Sequence, residues 1–166
     1  MNSTARWASR RRAGRTSTRP RAESAVIGDS LCVDLDEIHT DSLIATHDAA
    51  FPSTYIKGRE IVDQLCSDKQ VFVYNHDGQV LGYTRVLLET PTAGYIEYVG
   101  VREDSRRRGI GRELLRKALS CLIDEKGKQT VTLCVMDEST NAKALYASAG
   151  FSHLHTGINF RQDRKE

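Results

Sequence analysis

Apolar positions along the chain change period several times, and each change marks an element. Val26-Ile27 and Leu31-Cys32-Val33 predict a first strand, or a strand pair broken at Gly28-Asp29. Between Asp36 and Phe51, Ile38, Leu43, Ile44, Ala45, Ala49 and Ala50 give a modest helical spacing that stops before Pro52. Residues 57–66 continue helically, with Ile61, Val62 and Leu65 on one side. Val71 to Tyr74 and Val80 to Leu88 read as strands, and Asp77-Gly78 between them is a hairpin signal. Gly94 to Val101 supplies the third strand of an antiparallel meander.

Past Gly109-Ile110-Gly111 the period lengthens again. Leu114, Leu115, Ala118, Leu119, Leu122 and Ile123 form two adjacent rows on a long helix, which Lys126-Gly127-Lys128 ends. The dense apolar run Val131 to Val135 suits a central strand. Ser139 or Thr140 caps a short helix that runs to Ala149 and stops at Gly150. Phe151 to Phe160 closes the domain with one or two strands. The order β-α-α-β-β-β-α-β-α-β predicts one α/β domain, a mixed and mostly antiparallel sheet flanked by about four helices.

Charge divides the 166 residues unevenly. Residues 1–22, rich in Arg, Ser, Thr, Ala and Gly, hold seven of the 24 basic residues and no acid, so 17 bases face 22 acids in the remainder. The boundary predicted is an Arg-rich disordered leader over 1–22 and a folded, acidic domain over 23–166. A uniformly basic nucleic-acid-binding domain is disfavoured. No apolar run approaches the ~18–20 residues of a membrane helix, and no secretory h-region is visible. The expected compartment is the cytoplasm, or the mitochondrion if the leader is a transit peptide. Cys32, Cys66, Cys121 and Cys134 lack ligand spacing and read as small buried hydrophobes. His39, His47 and His76 are scattered, and His153-x-His155 reads as a pair on one strand face, not as a metal site; no metal is expected.

The segment Arg102 to Leu115 places an arginine-rich, glycine-punctuated turn between a strand and an amphipathic helix. The first amides of a helix have no internal partner, and the helix dipole adds positive potential there. Gly109 and Gly111 allow an oxyanion close to the main chain, and Arg106, Arg107, Arg108 and Arg112 attract it, so a pyrophosphate fits. A P-loop is excluded because no Lys follows the second Gly, and a Rossmann unit because the strand leading in ends a meander.

Arg106-x-x-Gly109-x-Gly111 after a strand resembles the acetyl-CoA signature Arg/Gln-x-x-Gly-x-Gly/Ala of the GNAT superfamily of N-acetyltransferases. About 35 residues on, Ala142 to Phe151 is similar to the family's Ala-x-x-Leu-Tyr-x-x-x-Gly-Phe. The resemblance covers residues 24–160 and implies a GNAT-like acyl-CoA N-acyltransferase fold. It implies that Val99, Gly100 and Val101 line a slot for pantetheine, opened by a bulge in their strand. It also implies that the main chain from Arg107 through Ile110 to Arg112 cradles the pyrophosphate of acetyl-CoA. Tyr146 stands at the family's general-acid position. Glu97, taken as sharing a strand face with Val99, is the candidate base, with Tyr95 lining the pocket. The family's Asn seven residues before the tyrosine is Ser139 here, and Asn141 lies nearby; both are carried as weak cofactor contacts.

The activity implied is transfer of an acetyl group from acetyl-CoA to a primary amine of a small molecule or a peptide or protein, by direct attack in a ternary complex. The alternative is a CoA-binding regulatory module of the same fold without turnover. Residues 102–117 hold seven bases and three acids, so the rest of the body stands near −9, which favours a cationic acceptor, its pocket built by residues 36–66 and the closing strands. A homodimer is an open option that no sequence feature demands.

Overall fold

The computed structural model describes residues 2–10 and 31–159. A seven-stranded sheet runs in the order β2-β3-β4-β5-β6-β1-β7. Its strands are β1 (Asn2–Arg10), β2 (Cys32–Asp34), β3 (Lys69–His76), β4 (Gln79–Leu87), β5 (Ala93–Val101), β6 (Thr130–Met136) and β7 (Ser152–Asn159). Four α-helices flank it: α1 (Thr40–Ala50), α2 (Gly58–Asp63), α3 (Ile110–Leu119) and α4 (Thr140–Ser148). A π-helical stretch, Ser120–Glu125, prolongs α3 to the predicted stop, where Gly127 takes φ +67°. Asp77 and Gly78 both have positive φ, 51° and 75°, as the two-residue hairpin turn requires.

The pleat separates two cores. Phe72, Val86, Ile96, Val131 and Leu133 face α3 and α4, packing with Leu115, Leu122, Tyr146 and Phe151. Val71, Val73, Tyr83 and Tyr98 face α1 and α2, packing with Leu43, Ile56 and Ile61. Each fully buried aliphatic side chain adds roughly 1.5–3 kcal/mol, so the two layers clamp the sheet from both sides.

The leader boundary needs correction. Asn2–Arg10 is not a featureless extension but an interior strand. Thr4 to Arg10 pairs antiparallel with Met136 to Thr130, and Asn2 to Ala8 pairs with Asn159 to Ser152. The cause is visible in the alternation: Trp7 lies opposite Leu133 and packs into the α3/α4 core, while Arg6 and Ala8 take the other face. The rest of the expected leader, and residues 23–30 and 160–166 of the expected domain, lie outside the described residues.

Two smaller expectations also change. Cys32 and Cys121 are buried, but Cys66 and Cys134 are exposed. His153 and His155 do not share a face. The β1/β7 register shifts between Arg6 and Trp7, so Leu154 is skipped; His153 pairs with Trp7 and contacts its ring at 5.9 Å, and His155 pairs with Arg6.

Candidate active site

β5 and β6 run parallel, and they pair only from Ala93–Thr130 to Ile96–Leu133. Beyond that point Glu97 to Val101 and Cys134 to Met136 have no ladder between them, which leaves a slot with two free main-chain edges. On its other side β5 continues pairing with β4 as far as Val101. The opening begins at a bulge. Arg85 pairs with Tyr98 and Val86 with Ile96, so Glu97 is the extra residue.

The bulge reverses the alternation. Ile96 belongs to the α3/α4 core and Tyr98 to the α1/α2 core, which a regular strand would put on one face. Glu97 therefore projects toward α1 and α2, whereas Val99 and Val101 pack beneath α3 with Ile110 and Leu114. The expectation that Glu97 and Val99 share a face is overturned by this one skipped residue. Gly100 lies three residues beyond the bulge. A Cβ there would lie 2.6 Å from Tyr83 Cε1 and 3.1 Å from Phe51 Cε2, so glycine is needed for close aromatic packing.

Glu97 is held at both carboxylate oxygens. Arg85 Nη1 lies 2.9 Å from Oε2, with the arginine side chain 1% exposed and the glutamate 12%. Tyr55 donates its hydroxyl to Oε1 at 2.7 Å, and Gln64 Oε1 accepts from Arg85 Nη2 at 2.9 Å. Burial and the carboxylate push the Tyr55 hydroxyl well above the usual tyrosine value. Tyr55 reaches Glu97 because the loop between α1 and α2 is pinned from below. His47, fully buried, bonds the Ile56 carbonyl through Nε2 at 3.0 Å, and its Nδ1 meets the Tyr83 hydroxyl. A carbonyl only accepts, so Nε2 carries the proton and Tyr83 donates to Nδ1. Thr54 of the same loop bonds the Tyr98 hydroxyl at 2.8 Å. Arg85, His47 and Tyr55 are not among the residues the sequence motifs mark. A basic residue inside an otherwise apolar strand, at Arg85, was the available signal.

The glycine turn follows the predicted form. Gly109 is the N-cap of α3 with φ +85°, open space lies where its Cβ would be, and Arg107 also takes a left-handed φ of 66°. The helical ladder begins with Arg112 and Glu113, both bonded to the Gly109 carbonyl. Among the described residues the amides of Arg107 to Gly111 have no main-chain acceptor. A Cβ on Gly111 would meet Leu145 Cδ2 at 3.3 Å, so its small size also lets α3 pack on α4. Arg106 folds back to the Val101 carbonyl at 3.2 Å, and Arg107 donates to Asn141 Oδ1 at 3.3 Å, joining the turn to α4. Ser139 is the N-cap of α4, but its side chain makes no capping bond.

Tyr146 projects from α4 into the α3/α4 core, 7% exposed, with the Phe151 ring at 6.1 Å. Burial pushes its hydroxyl up to about 12, so it keeps its proton at neutral pH. Tyr146 and Glu97 thus stand on opposite faces of the sheet. Among the described residues no group of three or more His, Cys, Asp or Glu could hold a metal ion, and no helix is long and apolar enough to cross a membrane.

The fold recurs in solved structures. The GCN5-related N-acetyltransferase from Sphaerobacter thermophilus aligns with a TM-score of 0.66 at 21% identity over 93% of this chain. This chain spans about half, 49%, of that protein. The ribosomal-protein-S18-alanine N-acetyltransferase from Escherichia coli aligns with a TM-score of 0.61 at 21% identity, covering 72% of this chain and 75% of its own. AAC(6')-Iy, solved with the bisubstrate analogue CoA-S-monomethyl-acetylneamine, gives a TM-score of 0.66 at 16% identity, covering 80% and 97%. The family profile of the acetyltransferase (GNAT) family matches residues 36–151, from the turn before α1 through the slot, the glycine turn and α4. The chain belongs to the acetyltransferase (GNAT) family.

Proposed function

We propose that the chain transfers an acetyl group from acetyl-CoA to a primary amine by direct attack in a ternary complex. The observation that carries this reading is the unpaired β5/β6 slot, which ends at the open amides of the Arg107 to Gly111 turn. Those amides and the α3 dipole suit the pyrophosphate. The free edges of β5 and β6 suit the amide-bearing pantetheine arm, as an added strand would. The thioester then lies at the splay, with Glu97 on the acceptor side and Tyr146 on the other.

The chemistry balances with these groups. The amine lone pair attacks the thioester carbon, and a β5 amide stabilises the oxyanion. The carbon–sulfur bond breaks, and the thiolate takes the proton of the Tyr146 hydroxyl. The proton lost by the amine passes to Glu97, directly or through water, and solvent returns one to Tyr146. CoA supplies the activated acyl group; the chain supplies position, an oxyanion donor and two proton sites.

Acceptors differ among the related folds: one is a ribosomal-protein-S18-alanine N-acetyltransferase, and another an aminoglycoside N-acetyltransferase. The acidic body supports a cationic amine here. The test is thiol release from acetyl-CoA across an amine panel, with acetyl-CoA affinity measured separately. Release with at least one amine supports the reading. Firm acetyl-CoA binding without release for any amine overturns it in favour of a binding module.

A further inference from the structure

The acceptor side of the slot has a second charged group that neither motif contains. Arg6 of β1 pairs with Cys134, and its Nη2 donates to Thr132 Oγ1 at 3.2 Å. Thr132 is the register partner of Tyr95 on β5, and Tyr95 shares its face with Glu97, two residues on. Tyr95 is raised well above the usual tyrosine value by burial, by Cys134 and by the nearby Glu97 and Tyr55. Arg6, Thr132, Cys134, Tyr95, Glu97 and Tyr55 therefore lie side by side on the face toward α1 and α2. The floor carries the Arg85-paired carboxylate of Glu97 at one end and the Arg6 guanidinium at the other.

We infer that Arg6 binds a carboxylate on the acceptor while Glu97 receives its amine. The inference rests on the proposed acetyl transfer and narrows its acceptor to a primary amine whose own carbon chain carries a carboxylate. Strand spacing and rise put the Cα atoms of Thr132 and Glu97 on the order of 8 Å apart. An α-amino acid, with one carbon between amine and carboxylate, is short for that separation between the residues that anchor the two charges. A free ω-amino carboxylate or a dipeptide, with several bonds between amine and carboxylate, spans them. A guanidinium suits this task because its planar fork matches a carboxylate, and Thr132 fixes one of its nitrogens.

The experiment compares 6-aminohexanoate with hexylamine, and a dipeptide with its C-terminal amide, using thiol release from acetyl-CoA. A kcat/KM at least tenfold higher for the carboxylate member of either pair is expected, and the preferred pair identifies the free acid or the peptide as the source. Arg6→Gln should collapse that ratio to within about threefold, and Arg6→Lys should retain part of it. The wild-type ratio needs no variant, so loosening of β1 cannot obscure it. A wild-type ratio near one for both pairs overturns the inference, as does an unchanged ratio in folded Arg6→Gln. If no amine releases thiol, the acetyl-transfer reading fails by itself. Calorimetric binding of 6-aminohexanoate and hexylamine to the CoA-saturated protein then decides Arg6: preferential binding supports it, and equal or absent binding overturns it.

Discussion

Arg85 Nη1 stands 2.9 Å from Glu97 Oε2, and the two side chains are 1% and 12% exposed. An ion pair this deep is expensive to break from one side, because the remaining charge stays in the interior. Loss of one partner of a buried pair costs about 3–5 kcal/mol. Arg85→Gln and Glu97→Gln should each lower stability in denaturant titrations, and the double variant should lose clearly less than the two losses added together. Additive losses would mean that the charges do not interact.

Tyr146 offers a prediction in two readouts. As proton donor to the thiolate, Tyr146→Phe should lower kcat about 10²-fold with acetyl-CoA affinity little changed. For stability the sign follows from burial. An unfolded tyrosine ionises near 10, and Tyr146 in the fold near 12, so the native state holds an extra proton between those values. Its contribution is complete below pH 10 and is lost as pH rises toward about 12. Equilibrium unfolding of Tyr146→Phe should show a shallower decline with pH in that window, by up to one proton in slope. A wild-type slope in the variant would place the hydroxyl in solvent.

Gly109 and Gly111 should part company on substitution. Gly109→Ala forces a Cβ into a left-handed conformation at a cost of about 1–2 kcal/mol, and it tilts the amides of the turn. Its main effect should be a raised KM for acetyl-CoA. Gly111→Ala instead presses on Leu145 at 3.3 Å. It should reduce thermal stability first and alter the cofactor KM less. Equal effects on KM would give Gly111 the same part in the phosphate cradle as Gly109.

What the sequence revealed follows the range of each interaction. Strand and helix periods, the Asp77-Gly78 hairpin and the glycine turn depend on neighbouring residues, and they stand where the periodicity put them. The bulge at Glu97 was hidden because it is a relation between β4 and β5: Tyr95 to Val101 alternates smoothly as text and reverses its faces only in register. Arg85, Gln64, Tyr55 and His47 come from β4, the segment after α2, the α1–α2 loop and α1, so no local window contains the group around Glu97. Trp7 was masked by its arginine-rich surroundings. Composition describes a segment's average, and one aromatic at the right register with Leu133 decided where β1 lies.

β1 carries the last prediction. It sits between β6 and β7, so removing residues 1–10 strips main-chain partners from both strands and separates β7 from the sheet. A basic extension that merely trailed from the domain would be lost without consequence. Here the deletion should lower the unfolding midpoint by many degrees and expose the inner edges of β6 and β7, which favours self-association through new strand pairing. Trp7→Ala, which keeps the ladder and removes only the side chain from the α3/α4 core, should cost less, about 2–3 kcal/mol for a partly buried indole. Trp7 is the chain's one tryptophan, so its fluorescence reports the state of this strand directly. A shift of that emission to the solvent-exposed range should coincide with the global unfolding transition followed by circular dichroism. Emission that reports full exposure while the rest of the fold is intact, together with an unfolding midpoint unchanged by the deletion, would take β1 out of the sheet.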